Sequence, residues 1–241
     1  MGSRILFITG TDTGVGKTVL TSLLARHLRQ RGIAVAALKP ICSGGRADAR
    51  ILHSSIAGRL ALDEINPWHF RASLTPLLAA RREHRRIHLA DVLAHVEGFQ
   101  RRFEFVLVEG AGGLLSPLGE DFNARDLIIA LRAVPIIVCP NRLGVVNHTL
   151  LTAEALPRAL SRRAAVVLMS PRRPDLPSRT NARLLAGIIG PDRVHEFPWL
   201  SAPADSRRAL GSTNVRQVLL ALQACVGLPP GMAAPNAEAM A

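Results

Sequence analysis

The sequence predicts an α/β fold of three layers, a mostly parallel sheet with helices on both faces. Three observations carry this expectation. Apolar runs of strand length recur along the chain, separated by segments of helical period. The runs are apolar at successive rather than alternate positions, as strands covered on both faces must be. The first run opens onto a glycine-rich stretch, ITGTDTGVGKTVL at residues 8–20, whose turn chemistry suits a strand, loop and helix unit.

Residues 4–9 (RILFIT) form the first strand. In the loop, Gly10, Gly14 and Gly16 remove side chains that would stop the backbone from curling around a ligand, and Lys17 and Thr18 stand where a helix begins. That combination suits a polyphosphate and a magnesium ion. Five residues rather than four separate Gly10 from Gly16, so the usual spacing is met only with Thr11 in the first glycine's place. A helix over 17–31 follows, with Leu20, Leu23, Leu24 and Leu28 on one face and Gly32 as its stop. The run IAVAALK at 33–39 completes a unit of about 35 residues, the size of a βαβ crossover. Further strands are expected at 103–109, 134–139, 164–170 and 194–197, and helices at 46–58, 88–101, 147–160, 179–189 and 213–225. One α/β domain over 1–226 accounts for this pattern. The tail 227–241 has no apolar period and is expected to be disordered.

Composition narrows the function classes. A net charge of +12 invites a nucleic-acid reading, but the arginines come as scattered pairs, aromatic residues make up 4% and tyrosine is absent, leaving little for base stacking. No nucleic acid is expected as a partner. No apolar run approaches the roughly 20 residues of a membrane helix, because Arg132 and Pro135 interrupt the best candidate, and no export or lipidation signal precedes the first strand. Cys42, Cys139 and Cys225 are widely spaced and form no CxxC pair, which argues against a disulfide frame or a zinc site. A reducing cytoplasm fits.

Ligands on such sheets bind beyond the carboxyl ends of the strands, and the polar residues collect there. The second strand ends in Lys39 of LKPICSGG, the third in Glu109 of VLVEGAGG, and the fifth in Ser170. Taken singly, Lys39 and Glu109 also read as solvated strand ends. Beside a phosphate loop they read as a charge-stabilising lysine and an acid that binds or polarises magnesium.

GTDTGVGKT, KPICSGG, VEGAGG, LGVVNHTLLT (143–152) and FPWL (197–200), in this order, resemble the dethiobiotin synthetase family over residues 4 to 222. The resemblance implies a P-loop NTPase fold, a homodimer, ATP and Mg²⁺, and ring closure on 7,8-diaminononanoate with CO₂ or bicarbonate. It further implies that Lys39 faces the reacting groups, with Lys17, Thr13 and Ser43 also contacting carbamate or phosphate. Backbone groups of Gly14, Val15, Gly16, Lys17, Thr18 and Val19 would hold the phosphates, with Gly110, Ala111 and Gly112 alongside. Thr18, Asp48 and Glu109 match the magnesium-associated positions, although Asp48 also reads as a surface aspartate at a helix start. The segment from residue 143, with Asn147 as a helix cap, would complete the partner subunit's substrate site; His148 there reads as an interface histidine without chemistry. Ser170 and Pro171, with Pro198, Trp199 and Leu200, fall at the base-binding positions. Ser170 stands where the family usually has an asparagine.

Three other P-loop readings fit less well. A partition ATPase wants a lysine where Asp12 stands, a GTPase wants an NKxD motif that PNRLG lacks, and a glutamine-dependent amidase needs a further domain. Another small-molecule ligase on the same scaffold stays open.

Overall fold

The computed structural model describes residues 4–200 and 207–225. In chain order the elements are β1 (Arg4–Gly10), α1 (Lys17–Gln30), β2 (Val35–Leu38), β3 (Ile41–Ser43), α2 (Ala47–Ser55), α3 (Leu62–Ile65) and β4 (Trp68–Phe70). They continue with α4 (Pro76–Arg82), α5 (Leu89–Gln100), β5 (Phe105–Glu109), α6 (Ala124–Ala130), β6 (Val134–Pro140), α7 (Val145–Glu154) and α8 (Arg158–Ser161). The last are β7 (Ala165–Met169), α9 (Leu176–Ile189), β8 (Val194–Phe197), α10 (Arg207–Gly211) and α11 (Thr213–Cys225).

The main sheet has six strands in the order β2-β5-β1-β6-β7-β8, and every pairing in it is parallel. The expected architecture is therefore found. β1 lies between β5 and β6, with Ile8 beside Glu109 on one side and Ile136 on the other. All residues of β5 are buried, including Glu109 at its end. Strands enclosed on both faces have no solvated side, which is why these runs lack alternation. The chain passes from β1 to β2 on one side of the sheet and from β5 to β6 on the other. The crevice where those directions diverge lies at the carboxyl end of β1, where ligands bind in open α/β sheets.

Several boundaries differ from the sequence expectations for identifiable reasons. The single helix expected at 147–160 is two helices, because Pro157 has no N–H to donate and stands at the N-cap of α8. Asn147 does not cap α7. Gly144 does so at φ 89, and Asn147 lies exposed inside the first turn. The helix expected at 46–58 ends at Ser55, before Ala57 and Gly58 turn into the left-handed region at φ 56 and 69. The helix expected from 179 begins three residues earlier, because Asp175 accepts from Ser178 N at 2.9 Å and makes a capping box. Elements absent from the expectation are β3, β4 and the short helices α3, α4, α6 and α10. The expected tail 227–241 lies outside the described residues.

β3 and β4 form a separate two-stranded parallel sheet. It continues the chain from the end of β2 and presents Cys42 and Ser43 toward the crevice. No helix among the described residues is long and apolar enough to cross a membrane.

Candidate active site

The phosphate loop is shaped by its glycines. Gly16 precedes α1 at φ 101, and a Cβ there would stand 2.9 Å from Met169 Cε. An L side chain would thus meet both strained backbone and a neighbouring strand. Gly10 is closed in by Val15, whose Cγ2 would lie 2.7 Å from an added Cβ. Thr11 N donates to Val138 O at 3.1 Å, tying the loop to β6. Asp12 is exposed and accepts from Thr13 N at 2.6 Å.

The loop forms one wall of a cavity of about 750 Å³. Lys17 is buried at the start of α1 and donates to Asp12 O and Gly112 O, both at 2.8 Å. Burial and the neighbouring Lys39 lower its pKa to about 8. Lys39, immediately after β2, is 3% exposed. Its Nζ donates to Glu109 Oε1 at 2.6 Å and to Gly110 O at 3.1 Å, and lies 3.1 Å from Asp48 Oδ2. Burial opposes the charge of Lys39, but the Glu109 and Asp48 carboxylates outweigh it and hold the pKa above the ordinary range. Thr18 Oγ1 donates to the same Glu109 Oε1 at 2.7 Å. The other oxygen, Glu109 Oε2, is buried without a hydrogen-bond partner among the described residues.

The structure thus gathers Thr13, Gly14, Gly16, Lys17, Thr18, Val19, Lys39, Ser43, Asp48, Glu109, Ala111 and Gly112 around one cavity. Val15 and Gly110 are buried behind the wall. Asp48, in the first turn of α2, is joined to the site by its ion pair with Lys39. Ser170, Pro171, Pro198, Trp199 and Leu200 do not line this cavity. They stand at the neighbouring ends of β7 and β8, where Ser170 N donates to Phe197 O at 2.8 Å. Cys42 lines the cavity, but burial pushes its thiol up, so it is a poor nucleophile.

Sequence reasoning missed the opposite wall, made by Ile51 of α2, Ser116 and the segment Ser73 to Pro76. Ser43 Oγ donates to Leu74 O at 2.5 Å, joining that wall to β3. Gly44 makes the approach possible: at φ +77, a Cβ on it would lie 2.6 Å from Ser73 Oγ. A signal was present in Thr75 and Pro76, a helix-starting pair ahead of LLAARR.

A glycine loop leading into a helix from a central parallel strand, with a buried acid ending the adjoining strand, defines a P-loop nucleotide-binding protein. Residues 4–220 match the family described as an AAA domain, and an ATP-dependent dethiobiotin synthetase of Anaeromyxobacter dehalogenans is 41% identical over 220 residues, 89% of this chain and 99% of its own. The chain belongs to the dethiobiotin synthetase family, whose members are ATP-dependent ligases. A relative of the same name from Bacillus velezensis is 36% identical over 188 residues, 76% of this chain and 81% of its own. Among solved structures, a ParA family ATPase from Chlorobium tepidum has a TM-score of 0.56 at 17% identity, covering 90% of this chain and 92% of that one. That likeness is one of fold.

Proposed function

We propose that this chain closes a ureido ring on 7,8-diaminononanoate (7,8-diaminopelargonate) with CO₂, using ATP and Mg²⁺, to give dethiobiotin. The supporting observation is that lysines from two loops, Lys17 and Lys39, line one cavity with Thr13 and Ser43. In the reaction, one amine adds to CO₂ and loses a proton, giving a carbamate. A carbamate oxygen then attacks the γ-phosphorus as its bond to the ADP oxygen breaks. The second amine attacks the carbonyl carbon of this carbamic-phosphoric anhydride and loses a proton, and phosphate departs with the C–O electron pair.

Carbamate and γ-phosphate are both anionic, so the barrier includes their repulsion. Lys39 and Lys17 offset it from fixed positions, and Ser43 and Thr13 add hydroxyl donors. Backbone N–H groups of residues 14–19 cradle the phosphates at the start of α1.

Thr18, Asp48 and Glu109 fit a magnesium ion, because all three offer oxygen and the buried Glu109 Oε2 lacks a partner among the described residues. When bound, the ion would neutralise charge on the phosphates. The reading also includes a two-fold dimer through the region around α7. Leu143 and Leu151 there are 80% and 61% exposed, and Leu184 and Ile188 of the adjoining α9 are 55% and 53% exposed.

The test incubates the protein with ATP, Mg²⁺, ¹³C-bicarbonate and the diamine. The expected product is dethiobiotin carrying one ¹³C, with one ADP and one phosphate per ring. ATP hydrolysis with no labelled ring would overturn the reading.

A further inference from the structure

We infer that Asn66, which the cavity does not reach, is a positioning residue for Lys39, acting by holding the segment that follows β2. Asn66 lies between α3 and β4 and is fully buried. Its Nδ2 donates to Lys39 O at 2.7 Å and to Pro40 O at 3.4 Å. Its Oδ1 accepts from Cys42 Sγ and from Arg46 Nε, each at 3.1 Å. A side-chain amide has two donor hydrogens and two acceptor lone pairs, and all four are used on residues 39 to 46.

The second partner reinforces the first. Arg46 stands at the N-cap of α2, two residues before Asp48. Its Nη2 donates to Leu62 O at 2.8 Å and to Asn66 O at 3.1 Å, and pairs with Asp63 Oδ1 at 2.7 Å. Backbone bonds hold the same two segments together, from Lys39 N to Ile65 O at 3.0 Å and from Trp68 N to Pro40 O at 3.1 Å. The loop after β2 is therefore anchored to residues 62–68 along its length, and Asn66 is the point where these anchors meet. The phosphate loop belongs to a different connection, after β1, and receives nothing from Asn66.

This separation gives the inference its content. Removing the amide frees the Lys39 carbonyl to reorient and shifts the Lys39 ammonium, while Pro40 O keeps its bond from Trp68 N and the phosphate loop keeps its shape. A misplacement of about 1 Å in a reacting constellation costs on the order of 10²-fold in rate.

The inference rests on the proposed ring closure, and the test is a double-mutant cycle between Asn66→Ala and Lys39→Ala, read as kcat for ring closure and Kd for ATP. Asn66→Ala should lower kcat by roughly 30-fold or more and leave the ATP Kd within about threefold. In the Lys39→Ala background it should cost less than about threefold, because the group it positions is already gone. An equal cost in both backgrounds, a loss of ATP binding in step with kcat, or an unchanged kcat would each overturn the inference. Should Asn66→Ala not fold, Arg46→Met carries the same cycle, with an expected loss of about 3-fold to 10-fold that again vanishes without Lys39. Absence of ring closure by the unaltered protein would refute the reaction; the same cycle read as ATP turnover then tests the positioning role, and an equal cost of Asn66→Ala with and without Lys39 would overturn it.

Discussion

Lys39 shows how a buried cation changes the expectation drawn from sequence. As a strand-end residue outside the core, it would be replaceable by alanine without harm to the fold. The structure places it 3% exposed and bonded to the fully enclosed Glu109. Lys39→Ala should therefore lower kcat roughly 10²-fold to 10³-fold and also destabilise the protein by about 3 to 5 kcal/mol, because one member of a buried ion pair is left alone. Thermal unfolding checks the second part, and a Tm within about 2 °C of the unaltered protein would count against it. Glu109→Gln should raise the magnesium needed for half-maximal activity, and an unchanged titration would reassign Glu109 to structure. Lys17, with its pKa lowered to about 8, is partly neutral above that pH in the free protein. A bound polyphosphate favours the ammonium form, so ATP binding at pH 8.5 to 9 should take up protons, and at pH 6.5 it should not. Calorimetry in buffers of different ionisation enthalpy measures this, and equal uptake at both values would contradict it. Ser170 and Pro171 bear on the base. Proline has no N–H, and Ser170 N is already committed to Phe197 O at 2.8 Å. Buried asparagines nearby already spend donors within the fold, Asn141 Nδ2 on Ser178 O and Asn181 Nδ2 on Asn141 Oδ1 and Arg142 O. CTP, GTP or ITP should support ring closure within roughly one or two orders of magnitude of ATP, about 1.4 to 2.8 kcal/mol of discrimination. An ATP preference in kcat/KM above about 10⁴-fold would mean that backbone groups around residues 198–200 read the adenine.

At the scale of elements, the sheet and its phosphate loop were legible because each signal is local. Buried parallel strands announce themselves as unbroken apolar runs, and three glycines before Lys17 admit few other conformations. Glu109 and Lys39 were legible as strand ends. The wall across the cavity was not, because β3 and β4 are three residues each, too short for any period to emerge, and they pair across more than twenty intervening residues. Their association depends on Asn66 and Gly44, whose roles follow from three-dimensional neighbours rather than sequence spacing. Gly44→Ala should test this wall. With φ +77 and Ser73 Oγ 2.6 Å from the new Cβ, it should destabilise the protein by about 1 to 2 kcal/mol. It should also lower ring closure without weakening ATP binding. Adding Ser73→Gly should recover only the part due to the clash, and full recovery would show that backbone conformation contributes nothing.

For the whole molecule, assembly is the first question. The exposed leucines around α7 and α9 predict a two-fold dimer whose contact region includes residues 143–152. Sedimentation across a dilution series should show activity falling with the dimer fraction, and a fully active monomer would show that each chain holds a complete site. The central placement of β1 has a further consequence, during synthesis. β1 is enclosed by β5 and β6, both of which follow it in the chain, and Thr11 of the nucleotide loop is fastened to Val138. A ribosome elongating at about 5 to 20 residues per second needs on the order of ten seconds to go from Thr11 to that valine. Until then the nascent chain carries the β6 edge of β1 open and has no finished nucleotide loop, so ATP cannot help the early chain to fold. Protection in that interval has to come from whatever meets the chain at the ribosome.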